Sequence, residues 1–218
     1  MDILKFWTIC SANSIVLDKT QIENFERYHK ELIHWNEKVN LISRSDIENI
    51  FERHFLHSLS ILKYENMKKK ACCLDFGTGA GFPGLPLKIA RPYIHMTLVD
   101  SIKKKIKITE IFAKHTGLKN INVICSRVED LNNDKNYTNK FDYIFARAVS
   151  RLDNLIAWSK ELLKPDGKMI FLKGGNLEEE IKTSHQKFPK IKIEEIQIDL
   201  FGVEWFKKEE KKIVVVTF

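Results

Sequence analysis

A chain of 218 residues, 44% hydrophobic and 30% charged, describes an ordinary globular protein with one large core, or a core carrying a small appendage. Its 36 Lys and Arg outnumber 29 Asp and Glu, a moderate basic excess of +7 that suits an RNA surface without requiring one. No apolar run approaches the roughly 20 residues of a membrane span, the first residues lack the pattern of a signal peptide, and the four cysteines show neither C-x-x-C pairing nor a zinc-spaced histidine. A cytoplasmic protein without metal, its cysteines reduced and serving as small core residues, is expected.

The first third reads as helical. Thr20 and Glu23 spell a capping box, after which Ile22, Phe25, Leu32, Trp35 and Val39 recur at helical spacing. Ser45 and Glu48 spell a second box, opening a helix with the stripe Ile47, Ile50, Phe51, Phe55, Leu59 and Leu62. His54 and Ser58 fall inside that stripe and are expected to point inward. For His54 a buried, hydrogen-bonded role closing the helical layer onto the remainder is favoured over catalysis. Residues 1–66 are thus expected to form a helical extension packed on a core domain, 67–218, reached through the basic link Met67-Lys68-Lys69-Lys70.

From Ala71 onward strand and helix alternate. Residues 71–74 form a buried strand with Asp75 at its end, followed by a glycine turn and a helix whose first turn holds Pro83 or Pro86. A second strand, 94–99, ends at Asp100. Ser101 then caps a helix that turns Ile102, Ile106, Thr109 and Phe112 inward and stops at Gly117. Strands are expected at 121–125 and 141–146, then a helix from a Ser150/Asp153 capping box carrying Leu152, Leu155, Ile156, Leu162 and Leu163. Pro165-Asp166-Gly167 turns into a fifth strand, 168–172; a helix follows Gly175, and 192–200 and 213–218 read as a hairpin-like pair. The fold class is α/β, a Rossmann-like, mostly parallel sheet covered on both faces, with its last strand antiparallel.

Ligands of such sheets bind outside the carboxyl ends of the strands. Gly79 to Gly84 fits the G-x-G-x-x-G spelling of dinucleotide binders, but Gly79 comes four residues after Asp75, and Pro83 stands where a pyrophosphate-binding turn should offer N–H groups. The register Asp75-Phe76-Gly77-Thr78-Gly79-Ala80-Gly81 suits S-adenosylmethionine better, because Asp75 can hold its ammonium directly or through water. After strand two, Asp100, with Ser101 beside it, is placed to accept the ribose hydroxyls of an adenosine. After strand three, the backbone of Val128 and the carboxylate of Glu129 can meet an adenine edge. After strand four, Arg147 can pair bidentately with a carboxylate or phosphate. Lys103, Lys104, Lys105 and Lys107 more often signify a solvated face than an RNA groove; Lys173 and Arg147 lie nearer the crevice and are better placed for phosphate.

The absences narrow the chemistry. No Asn/Asp-Pro-Pro-aromatic motif for methylating exocyclic amines follows strand four, and no Cys follows a Pro as in pyrimidine C5 methylation. An acceptor already nucleophilic remains, such as guanine N7, which has a lone pair and no proton to remove. The run Leu74-Asp75-Phe76-Gly77-Thr78-Gly79-Ala80-Gly81-Phe82-Pro83-Gly84-Leu85-Pro86-Leu87 resembles the signature of the RsmG (GidB) family of bacterial small-subunit rRNA guanine-N7 methyltransferases. Trp35-Asn36, Asn40-Leu41, Arg53-His54, Ser58-Leu59, Leu98-Val99-Asp100-Ser101, Ser126-Arg127-Val128-Glu129, Arg147-Ala148 and Lys173-Gly174 extend the likeness along almost the whole chain. The resemblance implies a class I methyltransferase fold, S-adenosylmethionine contacts at Gly77, Phe82, Val128, Glu129 and Arg147, and methylation of one guanine N7 in the decoding region (530 loop) of 16S rRNA, as free RNA or within the small subunit. A monomer is expected. His57 departs from the family pattern, which has Asp there. A nicotinamide-dependent oxidoreductase and a non-catalytic rRNA-binding or assembly module are the alternatives.

Overall fold

The computed structural model describes all residues, Met1 to Phe218. Helix α1 (Ile3–Ala12) is capped by Asp2, whose carboxylate accepts the Lys5 N–H at 2.8 Å. Helix α2 (Lys19–Asn36) begins two residues before the expected box. Asp18, not Thr20, is its cap, exchanging hydrogen bonds with Gln21, and an acid there also meets the positive end of the helix. The Gln21 amide additionally donates to the Ile89 and Ala90 carbonyls, joining the start of α2 to the end of a helix of the sheet region.

The helix expected from Ser45 is instead broken into turns. A 3-10 stretch (Arg44–Asn49) leads into a π-helical turn (Phe51–Leu56) and the short helices α3 (His57–Leu59) and α4 (Ile61–Tyr64), with no side-chain cap at the start. Four of the six π-turn residues, Phe51, His54, Phe55 and Leu56, are buried, more than an α-helical stripe of that length turns to one side, and the wider turn accommodates them.

Seven strands follow: β1 (Cys72–Phe76), β2 (His95–Asp100), β3 (Ile121–Cys125), β4 (Phe141–Arg147), β5 (Leu163–Gly174), β6 (Lys192–Gln197) and β7 (Lys211–Thr217). They form one sheet in the order β3-β2-β1-β4-β5-β7-β6, parallel throughout except β7, which runs antiparallel between β5 and β6. The last strand in sequence is therefore the antiparallel one, inserted inside the sheet. Pro165-Asp166-Gly167 does not precede β5 but lies within it, as a bulge where the β4 pairing jumps from Phe141–Leu163 to Tyr143–Lys168.

Side chains alternate between two cores. Cys73, Met96, Leu98, Tyr143, Phe145 and Ile170 face a cluster that continues without a break into Phe6, Phe25, Phe51 and Phe55 of the N-terminal helices and into α5 (Gly84–Ala90) and α6 (Lys103–His115). Leu74, Phe76, Val99, Ile144, Met169 and Phe171 face α7 (Leu152–Ser159) and the approach to α8 (Glu178–Lys187). A four-residue helix, α9 (Trp205–Lys208), precedes β7.

Three further expectations change. Ser101 does not cap α6: Ile102 stands at the cap, 49% exposed rather than inward, and its N–H is taken by Asp100 at 2.8 Å. Ser150 does not cap α7 either; the Leu152 N–H is accepted by Glu180 of α8 at 2.7 Å, while Leu162 and Leu163 leave the helix for a 3-10 turn and β5. Of the four free cysteines only Cys10 and Cys73 are buried; Cys125, at the end of β3, is exposed.

Candidate active site

The carboxyl ends of β1, β2, β3 and β4 meet at a crevice of about 180 Å³ lined by Gly77, Asp100, Ser101, Val128, Glu129 and Val149 among others. Its floor is the glycine turn after β1, which is fastened from several sides. Asp75 is not beyond the strand but inside it and fully buried; its Oδ2 accepts the Thr78 hydroxyl at 2.6 Å and the Gly84 N–H at 2.8 Å. Gly79 donates its N–H to Asp100 at 2.8 Å, and its carbonyl accepts the Thr109 hydroxyl at 2.7 Å. Tyr28 reaches in from α2 to the Ala80 carbonyl at 2.5 Å.

The glycines divide by role. Gly77 (φ +64°) and Gly79 (φ +57°) adopt left-handed backbone, and a Cβ at Gly79 would meet nothing within 4 Å, so that face is open to a ligand. Gly81 (φ +105°) serves packing: a Cβ there would stand 2.5 Å from Leu85 and 2.9 Å from the Tyr28 hydroxyl.

Asp100 is 7% exposed at the end of β2, each carboxylate oxygen fixed by one backbone N–H, from Gly79 and Ile102. A carboxylate so held retains lone pairs for two vicinal hydroxyls. Val128 and Glu129 open a 3-10 turn (Val128–Asn133) on the opposite wall, where the first N–H groups of a helical turn have no partner within it. Asp75 keeps one buried oxygen, Oδ1, without a partner, and burial pushes its carboxyl up to about 7 against the pull of Thr78, Gly84 and Arg147.

Arg147 ends β4 without the carboxylate partner its position leads one to expect. Its Nη1 donates to the Arg53 carbonyl at 3.1 Å and its Nη2 to His54 Nδ1 at 2.7 Å, and the guanidinium lies 4.8 Å from the Phe82 ring centre. Burial lowers its pKa to about 10, so it stays cationic at neutral pH. The Phe82 ring is 3% exposed, packed between Tyr28, His54 and Arg147, so it supports Arg147 rather than facing the crevice. His54, 7% exposed, is the inward, hydrogen-bonded histidine expected from its place in the stripe.

Lys173 is spent on the protein: its ammonium binds the Ser150 carbonyl at 3.0 Å and Glu180 at 2.7 Å, tying down the segment after β4. Lys103 and Lys104 are exposed on the first turn of α6. Tyr28, Thr109 and Val149 carry no motif that would have marked them as part of the site. Val149 rests on Gly77, its Cγ2 filling the place a Cβ would take, and separates the crevice from a second cavity of about 670 Å³ that it also lines.

Residues 21–211 match the family model described as GidB, rRNA small subunit methyltransferase G. The "Ribosomal RNA small subunit methyltransferase G" of Chlorobium limicola is 39% identical over 217 residues, covering 96% of this chain and 94% of that protein. The chain belongs to the GidB family. An oxidoreductase assignment is thereby set aside. Among solved structures, an S-adenosylmethionine-dependent methyltransferase from Aquifex aeolicus superposes with a TM-score of 0.56 at 18% identity, over 80% of this chain and 97% of that one. Fibrillarin from Aeropyrum pernix, solved with bound S-adenosyl-L-methionine, gives 0.57 at 13% identity, over 76% and 75%. The fold is that of class I methyltransferases, and the fixed acid of β2, the open face of Gly79 and the orphaned buried oxygen of Asp75 fit S-adenosyl-L-methionine as the cofactor.

Proposed function

We propose that the protein transfers a methyl group from S-adenosyl-L-methionine to N7 of a guanine in the decoding region (530 loop) of 16S rRNA. What carries this reading is the crevice at the strand ends, with Asp100 facing Val128 and Glu129 across the glycine turn, in a chain that matches the GidB family over residues 21–211. When bound, the cofactor supplies an electrophilic methyl on a sulfonium. Asp100 and Ser101 hold the ribose, the Val128–Glu129 turn holds the adenine edge, and Gly77 and Gly79 let the backbone approach. Asp75 braces the turn from beneath through Thr78 and Gly84, and Arg147 contributes a buried cation beside it.

The protonation chemistry supports an acceptor that needs no base. His54 and His57 are both poor bases, their pKa values lowered by burial and by the Arg147 charge, and the Asp46 carboxylate that lies 3.5 Å from His54 Nε2 is taken by Arg53 at 2.6 Å. Guanine N7 asks only for alignment with the methyl. The test is incubation of the protein with labelled S-adenosyl-L-methionine and either naked 16S rRNA or small subunits from a strain lacking the enzyme, followed by nucleoside analysis and mapping of the labelled position. Labelled 7-methylguanosine at one site in the decoding region is expected. Label in another base, or none in either substrate, removes the proposal and, in the second case, favours a non-catalytic assembly role.

A further inference from the structure

The sheet order divides the strand ends between two spaces. The crevice lies over β1, β2 and β3, while the larger cavity of about 670 Å³ lies over the ends of β4 and β5, the start of β7 and Trp205 of α9. That volume falls within the roughly 300–1,000 Å³ typical of small-molecule sites. Val149 belongs to both walls, so an acceptor placed in the cavity meets a donor placed in the crevice along that one boundary.

Four cations line the cavity, and three are committed within the protein. Arg53 holds Asp46 at 2.6 Å, Lys173 holds Glu180 at 2.7 Å, and Arg147 donates to the Arg53 carbonyl and to His54. Lys211 is the exception. Its ammonium makes neither a hydrogen bond nor an ion pair and stands 5.2 Å from the centre of the Trp205 ring. Its stem has a prepared path: Lys211 pairs with Gly174 across β5 and β7, and a Cβ at Gly174 would stand 3.3 Å from Lys211 Cδ, so the glycine leaves room for the chain to cross the strand end. Trp205 is the only Phe, Tyr or Trp on the cavity wall. Its ring is part-buried and set against His57 and Phe206, with ring centres at 5.6 and 5.1 Å, so its plane is fixed while part of it stays open.

An aromatic ring beside an uncommitted cation is how proteins hold an unpaired nucleotide: the ring stacks on the base and the cation meets a phosphate. We propose that the cavity seats the acceptor nucleotide, turned out of the RNA, with its base on Trp205 and its phosphate on Lys211. The proposal rests on reading the crevice as the donor site. A cation resting on a ring is weakly held, so the ammonium gives up the ring to an incoming base and turns to the phosphate beside it. The competing anion is the donor's own carboxylate. Lys211 stands two strands beyond β4, about 10 Å at the usual strand spacing, which puts it at the far end of the cavity and leaves Arg147 as the cation beside the donor.

The experiment compares target RNA with the same RNA lacking only the target base, its sugar and phosphate kept, at the position mapped by the labelling assay. Lys211→Gln is expected to keep its melting temperature and its S-adenosyl-L-methionine affinity within twofold and to bind both RNAs at least fivefold more weakly. The slope of its log affinity against log salt should be shallower by about 0.7, the share of one phosphate on a single strand, and Lys211→Arg should restore most of both. In protein whose only tryptophan is Trp205, intact RNA should quench the fluorescence and abasic RNA should not. No difference in quenching between the two RNAs, or RNA affinity unchanged in Lys211→Gln, overturns the proposal. So does a Lys211→Gln protein that loses S-adenosyl-L-methionine affinity, since the lysine then holds the donor's carboxylate. All three results leave the donor site standing; wild type that binds no S-adenosyl-L-methionine overturns both.

Discussion

At the scale of single residues, the site is a set of charges whose surroundings decide their use. Asp100 has both oxygens pinned by backbone N–H groups, so the carboxylate is aimed before any ligand arrives. Removing it frees the Gly79 and Ile102 amides and, on the proposed reading, takes away the contacts to the ribose. Each charge-assisted hydrogen bond is worth about 1.5–3 kcal/mol, so Asp100→Ala should weaken S-adenosyl-L-methionine binding by at least tenfold, as read by titration calorimetry; unchanged affinity would place the ribose elsewhere. Asp75 makes a different prediction. Its carboxyl titrates at about 7 in the folded chain, against 3.8 for an ordinary solvated aspartate, so the folded protein binds the extra proton between those values. The contribution of this group to stability is complete below the lower value and is lost as pH rises through the upper one. At about 1.4 kcal/mol per unit, several kcal/mol are at stake. Asp75→Asn keeps an acceptor for Thr78 and Gly84 and has no charge to bury. Relative to wild type it should gain stability between pH 5 and pH 8 in urea melts, and parallel pH profiles would show that Asp75 is not the titrating group.

At the scale of elements, the helices before the sheet serve the glycine turn. α2 carries Tyr28, which bonds the Ala80 carbonyl and stacks on Phe82, while the π-helical turn carries His54, which holds Arg147. Tyr28→Phe leaves a buried carbonyl without a donor at a cost of about 1–3 kcal/mol. Its melting temperature should fall, and cofactor affinity should fall with it because Ala80 belongs to the turn; a loss of stability with affinity unchanged would show that the turn keeps its shape unaided. This coupling also explains which elements the sequence disclosed. The strands were legible because buried parallel strands read as short apolar runs, and Asp100, Val128 and Arg147 were legible as the residues that follow or end them. The caps were not. Thr20, Ser45, Ser101 and Ser150 all match capping patterns, yet Asp18, Asp100 and Glu180 supply the bonds at three of these places, and no side chain caps the turn at Ser45. The π turn was invisible because its extra width is set by Phe6 packing on Phe51 and Phe25 on Phe55, across 30 or more residues of chain.

At the scale of the whole molecule, the question is whether residues 1–66 stand apart or complete the core. Phe6, Phe25 and Phe55 belong to the same unbroken cluster as Leu98 and Phe145 of the sheet, and Asn13 exchanges two hydrogen bonds with the Phe201 backbone. Without them one face of the sheet would lose the part of its cover that α5 and α6 do not supply. We therefore propose that the N-terminal helices are a packed extension with no separate folding transition. Phe6 is fully buried with three aromatic neighbours, and Phe6→Ala should cost about 3–5 kcal/mol. That loss should appear as one shifted transition, seen alike through tryptophans of the extension, Trp7 and Trp35, and through those of the sheet region, Trp158 and Trp205, when each is the only tryptophan left. An independent appendage would show Trp7 and Trp35 melting early while Trp158 holds. Coincident curves require that the helices holding Arg147 and the glycine turn unfold only with the sheet that carries the site.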